Sequence, residues 1–105
     1  MVEITRGSGN VFADLGFPDA EERKTKMLLA IQLNELLKNR KLKQAAAARL
    51  LGIPQPKVSA LANYRLDGFS AEKLMDLLTA LDRDVEIAIR PRRDKHGKVS
   101  VVTVS

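Results

Sequence analysis

Gln55, Lys57 and Ser59 occupy alternate positions of one short segment, with Lys43 and Gln44 upstream and Ala60, Asn63 and Arg65 just downstream. None of these side chains has a neighbour that would turn it into a nucleophile or one half of an acid/base couple. What they offer is directional hydrogen bonding. A carboxamide presents a donor and an acceptor side by side and matches the adenine edge, an ammonium suits guanine or a phosphate oxygen, and a hydroxyl serves several partners. The residue types therefore point to recognition of a polyanion and of base edges, with Gln55 suited to adenine, Lys57 to guanine or phosphate, and Gln44 to a phosphate oxygen.

Other chemistries lack their residues. The chain has no Cys and a single His, which excludes disulfides and thiolate-ligated zinc and leaves no expected histidine-based metal or acid/base site. Asp82, Asp84 and Glu86 come nearest to a carboxylate cluster. Asp84 and Glu86, however, flank and interrupt an alternating apolar run, where charge is expected for solvation alone. With no Gly-rich phosphate loop, no nucleophile beside a base and no metal-ligand spacing, the expectation is a protein that is not an enzyme and takes no cofactor. The length of 105 residues suits one domain with one modest core. No apolar run approaches the roughly 20 residues that cross a bilayer, and residues 1–10 lack the apolar stretch of a signal peptide. A soluble, cytoplasmic protein is expected.

Presenting such side chains in a fixed array requires rigid elements. Residues 42–61 read LKQAAAARLLGIPQPKVSAL, in which two helix-forming runs, 43–51 and 55–62, are separated by Gly52-Ile53-Pro54. The second must therefore turn sharply off the first, as in a helix-turn-helix. That motif needs a small residue at the helix crossing, a turn residue tolerant of positive φ, and apolar inner faces. Ala48 suits the first position, Gly52 the second, and Leu51, Ile53, Val58 and Leu61 the third. The outer face of the second helix would then carry Gln55, Lys57, Ser59 and Ala60 toward a DNA major groove. Pro56 is acceptable in a first turn, and the free N–H groups there can take a phosphate or base edge.

The charge distribution agrees with this placement. The net charge is +5, yet residues 1–35 carry four Lys/Arg against six Asp/Glu, and residues 66–105 carry seven of each. Residues 36–65 hold Lys38, Arg40, Lys41, Lys43, Arg49, Lys57 and Arg65 with no acid. The whole positive excess lies on the helix pair and its flanks, as a phosphate-binding surface requires.

The flanks read as follows. Residues 1–18 are broken by Gly7, Gly9, Gly16 and Pro18 and form an arm, with one helical turn near 11–15. Val11, Phe12, Leu15 and Phe17 make it either a free tail or a segment that docks on its own body or on another chain. Asp19 caps a helix that runs to about Arg40, with Glu21 and Glu22 in its first turn and Lys38, Arg40 and Lys41 at its end. Leu29, Ala30, Leu33, Leu36 and Leu37 form an arc able to bury against the helix pair, while Met27, Leu28 and Ile31 need another cover. Asn63 can contact the DNA backbone or end its helix in the left-handed region, and Arg65 can contact the backbone. Ser70 caps a further helix whose Leu74, Leu77, Leu78 and Leu81 recur at core spacing. From Asp84 the period changes to two: Val85, Ile87 and Ile89 alternate with polar or small residues up to Pro91. A turn at 92–98 and a second β-prone run at 99–104 complete a hairpin, whose first strand suits pairing with a second subunit or a partner's sheet. Arg92, Arg93 and Lys95 read as solvated turn charges.

Residues 42–62 resemble the Xre/Cro-type helix-turn-helix regulators. Over residues 11–91 the segments VFADLGFPDAEERKTKMLLAIQLNELL, GIPQPKVSAL and LDGFSAEKLMDLLTALDRDVEIAIRP resemble a narrower group, the HigA-like antitoxins paired with HigB/RelE-type toxins. The resemblance implies a mainly α, five-helix, lambda-repressor-like domain with a C-terminal β-strand or hairpin. It implies a homodimer that binds double-stranded operator DNA, represses its own operon and neutralises an mRNA-cleaving toxin by contact. By position in the motif, Gln44, Gln55, Lys57 and Ser59 approach DNA. Pro54 stands where many relatives carry a Ser or Thr cap, and Asn63-Tyr64 replaces smaller, more basic residues. A phage-type repressor with no toxin partner is the alternative. The corresponding division is an arm at 1–18, a helix-turn-helix domain at 19–83 and a dimerising strand or hairpin at 84–105.

Overall fold

A computed structural model describes residues 19–91 and 100–104, and within them the chain forms α1 (Asp19–Asn39), α2 (Gln44–Leu51), α3 (Gln55–Ala62) and α4 (Ala71–Ala80). The expected helical turn near 11–15 and the turn at 92–98 lie outside the described residues.

Local chemistry sets the boundaries. Ser70 adopts an extended backbone, and its Oγ accepts the Lys73 N–H at 3.0 Å, so α4 starts where the hydroxyl satisfies a first-turn donor. Gly52 ends α2 at φ 68°, with its own N–H and that of Ile53 both donating to the Ala48 carbonyl. The other three helices reach the left-handed region with residues that carry a Cβ: Lys41 (φ 55°), Tyr64 (φ 57°) and Asp82 (φ 63°). Tyr64 N–H donates to the Leu61 carbonyl and Arg65 N–H to that of Ala60, while Asp82 and Arg83 repeat the pattern on Thr79 and Leu78. These paired bonds consume the last carbonyls of each helix and reverse the chain. Asn63, whose expected roles include a left-handed end to α3, instead sits at φ −99° and the strained position falls to Tyr64.

The core is aliphatic, as a chain with three Phe and no Trp must make it. Leu74, Leu77, Leu78 and Leu81 of the α4 stripe are all buried. They share one cluster with Leu29, Ala30 and Leu33 of α1, Leu51 of α2, Leu61 of α3, and Leu66 and Phe69 from the loop between α3 and α4. Two expectations are corrected here. α1 rests principally on α4 rather than on the helix pair, because the α4 stripe offers four leucines where α2 offers mostly alanine. The buried alanine of α2 is Ala47, whereas Ala48 is half-buried and serves the turn through its carbonyl.

Two side chains tie α1 and its C-terminal end to the rest. Asn34 Nδ2 donates to the Leu61 carbonyl at 3.0 Å, tying α1 to the end of α3. Arg40 pairs with Asp82 at 3.1 Å and reaches the Leu81 carbonyl at 3.4 Å, joining the C-terminal ends of α1 and α4. Of the second arc of α1, Met27 and Ile31 remain exposed and Leu28 is half-buried.

The expected β-strand at 85–90 does not form among the described residues, and neither does a strand at 100–104. Val85 and Ile89 are exposed where one face was expected to be buried; Ile87 is half-buried, and Val101 packs partly on the core. The physical reason is that strand hydrogen bonds need a second backbone, and an isolated two-stranded ribbon is marginal in water. Within one chain the described architecture is thus four helices, without the β element.

Candidate nucleic-acid interface

α2 and α3 meet through Ala47 and Leu51 on one side and Val58 and Leu61 on the other, all buried, with Ile53 half-buried in the turn. This packing decides which residues of α3 face outward. At 100° per residue, Val58 and Leu61 define the inner side, Pro56, Ser59, Ala60 and Asn63 fall opposite, Gln55 lies at the edge of that outer face, and Lys57 and Ala62 sit on the two inward shoulders. Gln55, Pro56, Ala62 and Asn63 are exposed and Ser59 is half-buried.

The expected contact residues divide between this face and the body of the domain. Gln55 and Ser59 lie on the outer face. Asn63 is exposed too, but its Nδ2 donates to the Ser59 carbonyl at 2.9 Å, which holds the amide at the C-terminal end of α3. Arg65 is exposed just beyond it. Lys43 and Gln44 are exposed at the start of α2, where Lys43 occupies the capping position without a side-chain cap and no acid lies in the first turn. Lys57 is half-buried on the inward shoulder of α3. Its Nζ donates to the Gly68 carbonyl at 2.8 Å and lies 5.0 Å from the Phe69 ring centroid. Ala60 is half-buried and packs against the core despite its outward phase.

The N-terminus of α3 lacks a hydroxyl cap, as expected from Pro54, but differs from expectation in its free donors. Pro54 is the capping residue, with an extended backbone and no side-chain bond to the helix. Its carbonyl accepts both the Lys57 and the Val58 N–H, at 2.9 and 3.2 Å. Pro56 has no N–H to give. The first turn of α3 therefore offers fewer open donors than its sequence position suggests, and side chains must do most of the contacting.

The acid-free block behaves as two sets of cations. Arg40 is paired with Asp82 at the surface, and the half-buried Lys57 is bonded to the Gly68 carbonyl. Lys38, Lys41, Lys43, Arg49 and Arg65 are exposed on α1, the α1–α2 loop, α2 and the α3 terminus. The contact residues expected from the sequence leave out Pro56, which is exposed on the outer face of α3. Its helical phase relative to Val58 and Leu61 was the available signal. Of the three acids that come nearest to a carboxylate cluster, Asp82 pairs with Arg40, and all three are exposed. Among the described residues no group of acidic or His side chains could hold a metal ion, and no helix is long and apolar enough to cross a membrane.

Residues 11–90 match the helix-turn-helix domain family. A solved structure provisionally assigned to the XRE family of transcriptional regulators is 60% identical to the chain, with a TM-score of 0.79; the alignment covers 83% of this chain and 100% of that one. No curated protein gives a significant match.

Proposed function

Because the chain belongs to the helix-turn-helix domain family and is of the Xre type, we propose that it is a sequence-specific DNA-binding transcriptional regulator with α3 as its recognition helix. One observation carries this reading. On the side of α3 away from the buried Val58 and Leu61, Gln55 and Asn63 are exposed with the half-buried Ser59 between them, and they stand within a block of the chain that contains cations and no acids. Gln55 reads a base edge, Ser59 and Asn63 follow it along the groove, and Lys43, Gln44 and Arg65 hold phosphates on either side.

A single helix of eight residues covers too few base pairs for tight, selective binding. The proposal therefore includes a homodimer that sets two copies of α3 about 34 Å apart on the duplex. Residues 84–105 are the proposed dimerising element, since Val85, Ile89, Val102 and Val104 are exposed there along backbone with no strand partner. Residues 19–83 are the DNA-binding domain and residues 1–18 an arm. The finer role proposed is that of an antitoxin of the HigA-like group in the cytoplasm, repressing its own operon and covering a HigB/RelE-like toxin. The segments flanking the helix pair, quoted above for their resemblance, support it.

Selection of duplexes from a random pool tests the first part. The wild-type chain is expected to enrich a two-fold-symmetric site and Gln55→Ala to lose preference at one position per half-site; a pool that stays random refutes it. Co-expression with the neighbouring reading frame, with and without residues 85–105, tests the second. Failure to co-purify any small basic partner removes the antitoxin role and leaves a regulator without a toxin.

A further inference from the structure

The geometry points to Lys57 as a positioning residue that latches the recognition helix to the α3–α4 loop, rather than as a group that touches DNA. This inference rests on the DNA-binding reading above and reassigns one of its residues. Lys57 precedes the buried Val58 on the inward shoulder of α3. Its ammonium donates to the Gly68 carbonyl at 2.8 Å and sits 5.0 Å from the centroid of Phe69, itself 3% exposed in the core. A cation over an aromatic face and a carbonyl acceptor together replace much of the water the ammonium gives up. The latch bridges eleven residues of sequence and joins the first turn of α3 to the loop that leads into α4. Gln55 and Ser59 lie on that same short helix, so its orientation sets where both side chains point.

Gly68 is the second half of the device. A Cβ built there would run into the Lys57 Nζ with little else nearby. Only a residue without a side chain leaves the seat for the ammonium. Because the obstructing atom is the far end of a flexible side chain, Gly68→Ala is expected to expel Lys57 while leaving the fold and the charge intact.

That property gives a test in which charge and position are separated. Lys57→Met, Gly68→Ala and the double variant are compared with wild type by thermal unfolding without DNA. Each single variant is expected to lower Tm by several degrees, on the order of 4–8 °C, and the double variant by no more than the larger single effect, since both break one contact. Binding is then measured on the duplex recovered by selection and on a scrambled duplex of equal length. Both variants are expected to lose several-fold in the ratio of the two affinities while the salt dependence keeps its wild-type slope, and Lys57→Arg, which can reach the same carbonyl and ring, is expected to restore the ratio. A Lys57→Met slope shallower by about 0.9, with Gly68→Ala binding normally, would identify a direct phosphate contact instead. Additive Tm losses, or a lowered Tm with an unchanged affinity ratio, would also overturn the inference. If the wild type binds neither duplex, the DNA-binding reading and Lys57's role within it fall together, and the Tm cycle alone decides whether the latch exists.

Discussion

Leu61→Ala is the sharpest test of how α3 is held. Leu61 is fully buried and belongs to the same cluster as Leu33, Leu74 and Leu77, which are at most 2% exposed and come from other helices. Its carbonyl takes the Asn34 side-chain donor and the Tyr64 N–H, and the substitution leaves those backbone bonds possible. The loss is therefore mainly apolar. Three carbons at about 0.8 kcal/mol each give roughly 2.4 kcal/mol of transfer free energy. A cavity walled by several elements cannot close by moving one side chain, which places the total at about 3–5 kcal/mol. Against a domain stability on the order of 5–15 kcal/mol, that is a large fraction. Urea unfolding followed by helical circular dichroism should show a midpoint lowered by about 1 M or more at unchanged m. Leu50→Ala, on an α2 residue that is 38% exposed, should cost about 1 kcal/mol or less. Equal shifts for the two variants would refute the packing described for α3.

Three further outcomes follow from the helix ends. Lys41→Gly should stabilise the chain by up to about 1 kcal/mol by relieving a side chain held at φ 55°, seen as a raised Tm. Gly52→Ala meets no atom within 4 Å yet must hold φ 68°, so its cost of about 1–2 kcal/mol should arise from backbone strain alone; an unchanged urea midpoint would contradict it. Ser70→Ala should lose about 1 kcal/mol as the Lys73 N–H gives up its cap, with faster hydrogen exchange of the first α4 amides as the local check.

The parts of the fold that could be read in the sequence are those governed by neighbours a few residues apart. The leucine stripe of α4, the hydroxyl cap at Ser70 and the left-handed Gly52 each follow from a local rule, and each stands where that rule puts it. What the sequence hid depends on distant partners. Lys57 looked like an outward cation because its class and position in the motif suggest one, yet Gly68 and Phe69 draw it inward. Arg40 is likewise taken by Asp82, far along the chain. The left-handed end offered for Asn63 as one of two roles follows the usual preference of Asn, but the bonds from Tyr64 and Arg65 place the reversal one residue later. Alternation at 85–90 records a propensity for strand, and propensity without a pairing backbone yields no ladder.

The account centres on the outer face of α3, and the most direct measurement is the affinity of wild type and Gln55→Ala for the selected duplex across a range of salt concentrations. Wild-type binding should fall linearly on logarithmic axes, with a slope of about −0.9 for each phosphate neutralised. Gln55→Ala should keep that slope and lose about 1–3 kcal/mol at its base pair, roughly 5- to 150-fold. A flat salt dependence in the wild type, or Gln55→Ala binding with undiminished affinity and preference, would contradict the assignment of α3 as the helix that reads DNA.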